Sequence, residues 1–275
     1  MLSKRWATAL TLLAGFLACL FLLPQSWWVL VMTVPLVFGA REWGRLSGFA
    51  APAANGYALA SVALAALVYV WGNTYHVQVY LAALAFWLVV VPLWLAFGWR
   101  VQQPWLRVLS GWLVLLPLWL ALVDLRAYSA FGLLLLMGIV WIADSAAYFT
   151  GKRFGRRRLA AQISPGKTWE GAAGAWLAVT VYATVVLGVA AMLGRVPYPA
   201  DWLLPLALFV WLLFYLSILG DLFESWIKRL AGAKDSSDLL PGHGGMLDRI
   251  DALTSTLPIA ALMLLHGQLL TRALT

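Results

Sequence analysis

The chain has 275 residues, 63% of them hydrophobic and only 11% charged, with a formal net charge of +8. A water-soluble domain carries about 25% charged residues, so this composition excludes an ordinary soluble fold. Apolar runs of about twenty residues recur from end to end and mark transmembrane helices. In such a chain the positive charge belongs to loops beside anionic lipid rather than to nucleic-acid binding.

Lys4 and Arg5 precede the first apolar run, which reads as an uncleaved first span because many further spans follow. Cys19 is the only cysteine, so no internal disulfide can form. Spans are expected at about 6–23, 27–40, 57–72, 77–97, 105–123, 130–149, 170–193, 203–220 and 252–271. The second and third are short or interrupted, which leaves eight as the alternative count. The expected fold is all-α, a polytopic integral membrane protein of about nine transmembrane helices with its N-terminus cytoplasmic. Residues 1–129 are expected to form N-terminal membrane helices and 130–275 the C-terminal membrane helices that carry the polar segments, in one integral unit.

Charge placement supports this map. It puts every Lys and Arg except Arg126, Arg195 and Arg272 on the cytoplasmic face, as the positive-inside rule requires. The outside connections, PQS near Pro24, GNTYH near Gly72, DLRAYSA and GRVPYPAD, are too short for a domain. Segments 150–169 and 221–251 are long and polar and emerge on one face, so chemistry is expected there.

Carboxylates gather in the same region: Asp144, Glu170, Asp221, Glu224, Asp235, Asp238, Asp248 and Asp251. Orientation rules do not explain acids, and a lone charge at a span end is costly to bury. Asp144 lies inside LLLLMGIVWIADSAAYF, and Asp221 closes LLFYLSILGD. If the eighth helix continues past Gly220, Asp221, Glu224, Ser225 and Lys228 share one face at three- and four-residue steps. Asp248 and Asp251 are three apart where the last span begins. Asp251 alone is also read as a helix cap. Together these acids suit a hard cation such as Mg²⁺, which takes oxygen ligands from one or two carboxylates, phosphates and water. The neighbouring bases suit phosphates.

Pro241-Gly242-His243-Gly244-Gly245 cannot be regular helix, and glycines let backbone N–H groups approach a phosphate. The turn gains weight from its flanks, Lys234-Asp235 and Asp248-Arg249. SPGKTWEG, Ser164 to Gly171, joins a hydroxyl, a turn, a lysine and an acid just before a span. It lacks Walker A spacing. The run KRFGRRR from Lys152 reads as an orientation signal and anionic-lipid contact.

The stretch Ser225-Trp-Ile-Lys228-Arg229, then Lys234-Asp235, Pro241-Gly-His243-Gly-Gly245 and Asp248-Arg249-Ile-Asp251, resembles the signature of phosphatidate cytidylyltransferases, the bacterial CDP-diacylglycerol synthases. GDLFES before it, ADSAAYFTGKRFG from Ala143 and ISPGKTWEG from Ile163 are similar to further family segments. The resemblance covers about 140–260, with a REWGRL-like element at Arg41 in the N-terminal half. Ala146 stands where many relatives have glycine, and Asp238 replaces a more usual Asn or Gly.

The resemblance implies transfer of CMP from CTP to phosphatidate with a divalent cation, in the bacterial cytoplasmic (inner) membrane, with the site facing the cytoplasm. It implies a catalytic set of Asp144, Lys167, Asp221, Glu224, Lys228, Asp235, His243, Asp248, Arg249 and Asp251. Metal ligands are expected at Asp221 and Asp248, with Asp144 and Asp251 beside them. Mg²⁺ is the expected ion, with room for a second cation of unknown identity. Substrate contacts are expected from Ser164, Lys167, Ser225, Lys228, Arg229, Lys234, Gly242, His243, Gly244 and Gly245. CTP, phosphatidate and membrane lipids are the expected partners. Nucleic acid is not, and a homodimer is left open. The competing readings are a cation-coupled transporter, favoured by intramembrane Asp144 and Asp221, and a CTP-dependent enzyme acting on another lipid phosphate.

Overall fold

The computed structural model describes residues 2–101, 103–195, 199–239 and 244–274. In chain order these form α1 (Leu2–Leu22), α2 (Gln25–Leu46), α3 (Ala51–Trp71), α4 (Asn73–Ala85), a π-helical turn (Phe86–Val90), α5 (Val91–Phe97), α6 (Pro104–Tyr128) and α7 (Ala130–Phe154). A short hairpin, β1 (Arg158–Ala160) and β2 (Ser164–Thr168), leads into α8 (Trp169–Met192), α9 (Pro199–Leu230) and α10 (Leu247–Leu274).

Among the described residues, six helical stretches are long and apolar enough to cross a membrane: Ala51–Trp71, Tyr75–Phe97, Pro104–Tyr128, Ala130–Phe154, Trp169–Met192 and Ala200–Leu230. The protein is therefore a helical, multi-pass membrane protein. The other three expected spans fall on α1, α2 and α10. Leu177, Val181, Val185 and Val189 form an exposed apolar stripe at helical spacing along α8, which suits contact with lipid.

Several expected boundaries shift. The second expected span continues to Leu46, the eighth to Leu230, and the last begins at Leu247. His76 and Asp124, expected in outside connections, are helical. His76 Nδ1 and Tyr80 Oη each lie 2.9 Å from Asp124 Oδ2, which ties α4 to α6. Among the described residues, the hairpin is the one departure from an all-α fold. Arg158 pairs with Thr168 and Ala160 with Ser164 in antiparallel register. Pro165 is tolerated because both strands of a two-stranded ribbon are edges. Thr168 then caps α8, its Oγ1 accepting the Gly171 N–H at 3.1 Å.

α10 is the mast of the bundle. It packs against α9, α6, α4, α7 and α2, and every residue from Ala252 to Leu262 is buried. Its buried Ser255 Oγ donates to the Leu216 carbonyl at 2.7 Å, and Thr256 Oγ1 to that of Ala252 at 2.9 Å. Large aromatic rings fix α9 from the other side. Phe223 has no exposed surface and meets Trp43, Phe86, Trp87 and Trp94 at ring-centroid distances of 6.2, 5.5, 5.7 and 5.3 Å. Such edge-on and tilted pairs add about 0.5–1.5 kcal/mol beyond area burial. They lock the turn of α9 that carries Asp221 and Glu224.

The crossing of α9 over α10 needs a glycine. A Cβ at Gly220 would lie 2.6 Å from the Asp251 carbonyl oxygen and 2.6 Å from Ser255 Oγ. Gly220→Ala is expected to cost about 1–3 kcal/mol, the usual penalty for overpacking. It should lower the thermal unfolding midpoint of the purified protein in detergent, and an unchanged midpoint would contradict this packing.

Candidate active site

Polar side chains converge where α7, α9 and α10 meet the hairpin. α9 runs unbroken past Gly220, so residues at steps of three and four share a face. Ser225 Oγ donates to Asp221 Oδ1 at 3.4 Å. One helical turn on, Lys228 Nζ lies 2.6 Å from Glu224 Oε2. The hairpin delivers Lys167 into an ion pair with Asp221. The lysine of SPGKT is thus aimed by β2 and the acid by α9.

The tightest element is a buried triad. Lys228 Nζ reaches 2.5 Å to Asp248 Oδ1 on α10 as well as Glu224 on its own helix, and the three side chains are only 11%, 9% and 5% exposed. Glu224 Oε2 is held by the ammonium, and Oε1 has no hydrogen-bond partner among the described residues. Asp248 is fully engaged. Its Oδ2 accepts the Ser236 N–H at 2.9 Å, the Ser236 hydroxyl at 2.8 Å and the Gly245 N–H at 2.8 Å. Asp248 precedes the apolar run of α10. Burial pushes its carboxyl up, but Lys228 and the Gly245 and Ser236 N–H groups outweigh this and hold it below its ordinary value.

The remaining acids lie within electrostatic reach of one another. Asp144 senses Asp221, Lys167 and Arg249. Asp251 senses Asp221, Glu224 and Asp144, and its Oδ1 accepts the Ala252 N–H at 2.7 Å. Oxygen-rich surroundings of this kind, with Glu224 Oε1 unpartnered among the described residues, fit a hard divalent cation. No three His, Cys, Asp or Glu side chains among the described residues already converge as a metal cage.

A cavity of about 420 Å³ lies beside this cluster. Asp144, Ser164, Lys167 and Asp221 line it with polar groups, while Ala147, Phe214 and Ile218 give it apolar walls. A second cavity of about 530 Å³ is apolar apart from Arg249, with Trp141, Met246 and Leu253 among its walls. Both shapes suit a molecule with a charged head and a greasy body.

The expected site residues are therefore unequally gathered. Asp144, Ser164, Lys167, Asp221, Glu224, Ser225, Lys228, Asp248 and Asp251 belong to one neighbourhood, with Arg249 in electrostatic contact. Lys234 and Asp235 are exposed. Arg229 is also exposed and donates to the Ala233 carbonyl at 3.2 Å. Gly244 and Gly245 crowd Asp248, Ser236 and Glu42. Gly242 and His243 lie outside the described residues. Three participants escaped sequence reasoning: Glu42, Ser236 and Ser237. Glu42 accepts from both serines and from the start of α10. The one sequence signal for it was an acid set between Arg41 and Arg45 at a span end.

Removing one member of a buried ion cluster strands the others. Lys228→Met is expected to cost about 3–5 kcal/mol, read as a lower unfolding midpoint in detergent. Adding Glu224→Gln to that variant should recover part of the loss, and full stability in Lys228→Met alone would contradict the triad.

The geometry has close relatives in sequence. A family model described as the cytidylyltransferase family matches residues 3–266. The chain is 40% identical over 274 residues to a phosphatidate cytidylyltransferase of Pseudomonas aeruginosa, covering 96% of this chain and 97% of that one. It is 32% identical to one from Haemophilus influenzae, covering 94% and 96%. Over 145 residues it is 40% identical to one from Bacillus subtilis, covering 52% and 51%. The chain belongs to the cytidylyltransferase family.

Proposed function

We propose that the chain transfers CMP from CTP to phosphatidate, giving CDP-diacylglycerol and pyrophosphate. The observation that carries this reading is the cavity that joins Lys167, Asp144 and Asp221 to apolar walls, in a member of this family. A phosphatidate phosphate oxygen attacks the α-phosphorus of CTP. The new P–O bond forms as the bond from the α-phosphorus to the bridging oxygen breaks, and pyrophosphate leaves with that oxygen. The attacking oxygen is already deprotonated near neutral pH, so no strong general base is required. The physical obstacle is bringing two polyanions together.

The chain's own residues answer that obstacle. Lys167 and Arg249 are placed to meet phosphates, each beside a cavity that an acyl chain could enter. Lys228 is committed to Glu224 and Asp248, so its role is to hold α9 and α10 in register rather than to reach for substrate. Asp144, Asp221 and Asp251 would hold Mg²⁺, with Asp248 oriented beside them. A bound divalent cation would neutralise phosphate charge as a Lewis acid. When phosphate draws Lys167 away, Asp221 regains its oxygens for that role. The transporter reading is less well supported, because the charged groups collect in one region beside the hairpin rather than along a path through the bundle.

For topology, we propose nine passes, counting α4, the π turn and α5 as one. The N-terminal end of α1 and the site then face the cytoplasm of a bacterial inner membrane. The skew of Lys and Arg supports this. In a Cys19→Ser background, a membrane-impermeant thiol reagent applied to spheroplasts should label a cysteine placed at Arg195. One placed at Lys234 should react only after the membrane is opened. The reverse pattern would invert the topology.

Purified protein in detergent with phosphatidate, Mg²⁺ and CTP labelled in its α-phosphate should move label into lipid, and EDTA should stop it. Asp221→Asn should lower turnover about a hundredfold or more while the protein stays folded. Absence of labelled lipid from folded wild-type protein would remove the substrate pair, and near-normal turnover in the variant would remove Asp221 from the ion site.

A further inference from the structure

We infer that Glu42, on α2 in the N-terminal half, is a positioning residue for the reaction proposed above: it caps α10 from another helix and thereby sets where Asp248 stands. Glu42 is 5% exposed, and four donors lie within hydrogen-bond distance of its carboxylate, one of them shared with Asp248. Oε2 takes the Leu247 N–H at 2.8 Å and the Ser236 hydroxyl at 3.0 Å. Oε1 takes the Met246 N–H at 2.9 Å and the Ser237 hydroxyl at 2.5 Å.

The chemistry explains why a carboxylate is needed. The first turn of a helix leaves N–H groups with no partner inside it, and its positive end favours an anion. α10 begins at Leu247. Asp248 satisfies the Gly245 N–H from within, and Glu42 satisfies the next two amides from α2. Both oxygens of a carboxylate accept, so all four donors are met. An amide in its place would turn an N–H₂ towards two of those donors.

Glu42 and Asp248 also share a proton. Ser236 Oγ lies 3.0 Å from Glu42 Oε2 and 2.8 Å from Asp248 Oδ2. A hydroxyl has one proton to give, so what Glu42 takes from Ser236, Asp248 lacks. The path continues from Asp248 through Lys228 to Glu224. Space is equally committed: a Cβ on Gly245 would lie 2.1 Å from Ser236 Oγ, 2.6 Å from Glu42 Oε1 and 2.7 Å from Ser237 Oγ. Glycine at 245 is what lets the two serines and the chain entering α10 gather round the carboxylate.

The test compares wild type, Glu42→Gln and Ser237→Ala as full chains in detergent, read in three ways. For Glu42→Gln, kcat for CMP transfer should fall about tenfold or more, as loss of charged hydrogen bonds implies. KM for phosphatidate should stay within about twofold, because Glu42 touches neither cavity where acyl chains would lie. Hydrogen exchange at Met246 and Leu247 should accelerate about tenfold, with the amides of α6 unchanged. Ser237→Ala, which removes one donor of four, should show a smaller fall in kcat with an unchanged unfolding midpoint. Wild-type kcat in Glu42→Gln, or activity lost only in proportion to unfolded protein, overturns the inference. Should Glu42→Gln fail to fold, Ser237→Ala decides by itself, and wild-type kcat there overturns it. If wild-type protein moves no label from CTP, the reaction is wrong, and Glu42 is judged by the exchange readout: local acceleration keeps the cap, uniform acceleration removes it.

Discussion

One ammonium group, that of Lys228, sits between carboxylates of two helices in surroundings almost closed to solvent. Burying three charges carries a large desolvation penalty, and such clusters are poor sources of net stability. They are good sources of definition, because few arrangements place an ammonium within 2.6 Å of both partners. The lysine fixes the rotation of α9 relative to the start of α10, and the positions of Asp221 and Asp251 follow from it. The apolar packing behind it is built to match. Gly220 brings the helices close, and the rings around Phe223 prevent α9 from turning away.

The charge distribution divides labour between lysines. Lys228 is deep and doubly paired, whereas Lys167 arrives on a two-stranded ribbon and pairs with one acid at the wall of a cavity. A half-buried side chain on an edge ribbon is held by fewer buried contacts than one almost closed to solvent between two helices. The less buried base is the one beside the space where a phosphate would enter, and the buried base is part of the frame.

Much of this was readable from the residues alone, and the parts that were not have a common cause. The face of α9 bearing Asp221, Glu224, Ser225 and Lys228 follows from helical periodicity, a local property. The helical runs follow from hydropathy. What Lys228 does with its charge was not legible, because its second partner comes from α10, twenty residues on. Glu42 was legible only as one letter of REWGRL. Its four donors lie roughly two hundred residues away, and no periodicity spans that distance. The hairpin was hidden for a different reason: Pro165 and Gly166 speak for a turn, and only the pairing of Arg158 with Thr168 makes them part of a ribbon.

The central place of α10 bears on how the protein is made. α10 is synthesised after every helix it packs against. Until it arrives, Glu42 on α2 lacks the Met246 and Leu247 amides, and Lys228 has one carboxylate rather than two. The earlier helices therefore reach their places with part of this polar network unpaired at the span ends. Insertion of α10 relieves that cost and assembles the acids in the same step. The last helix to be made thus supplies both the packing at the centre of the bundle and the partners that Glu42 and Lys228 need.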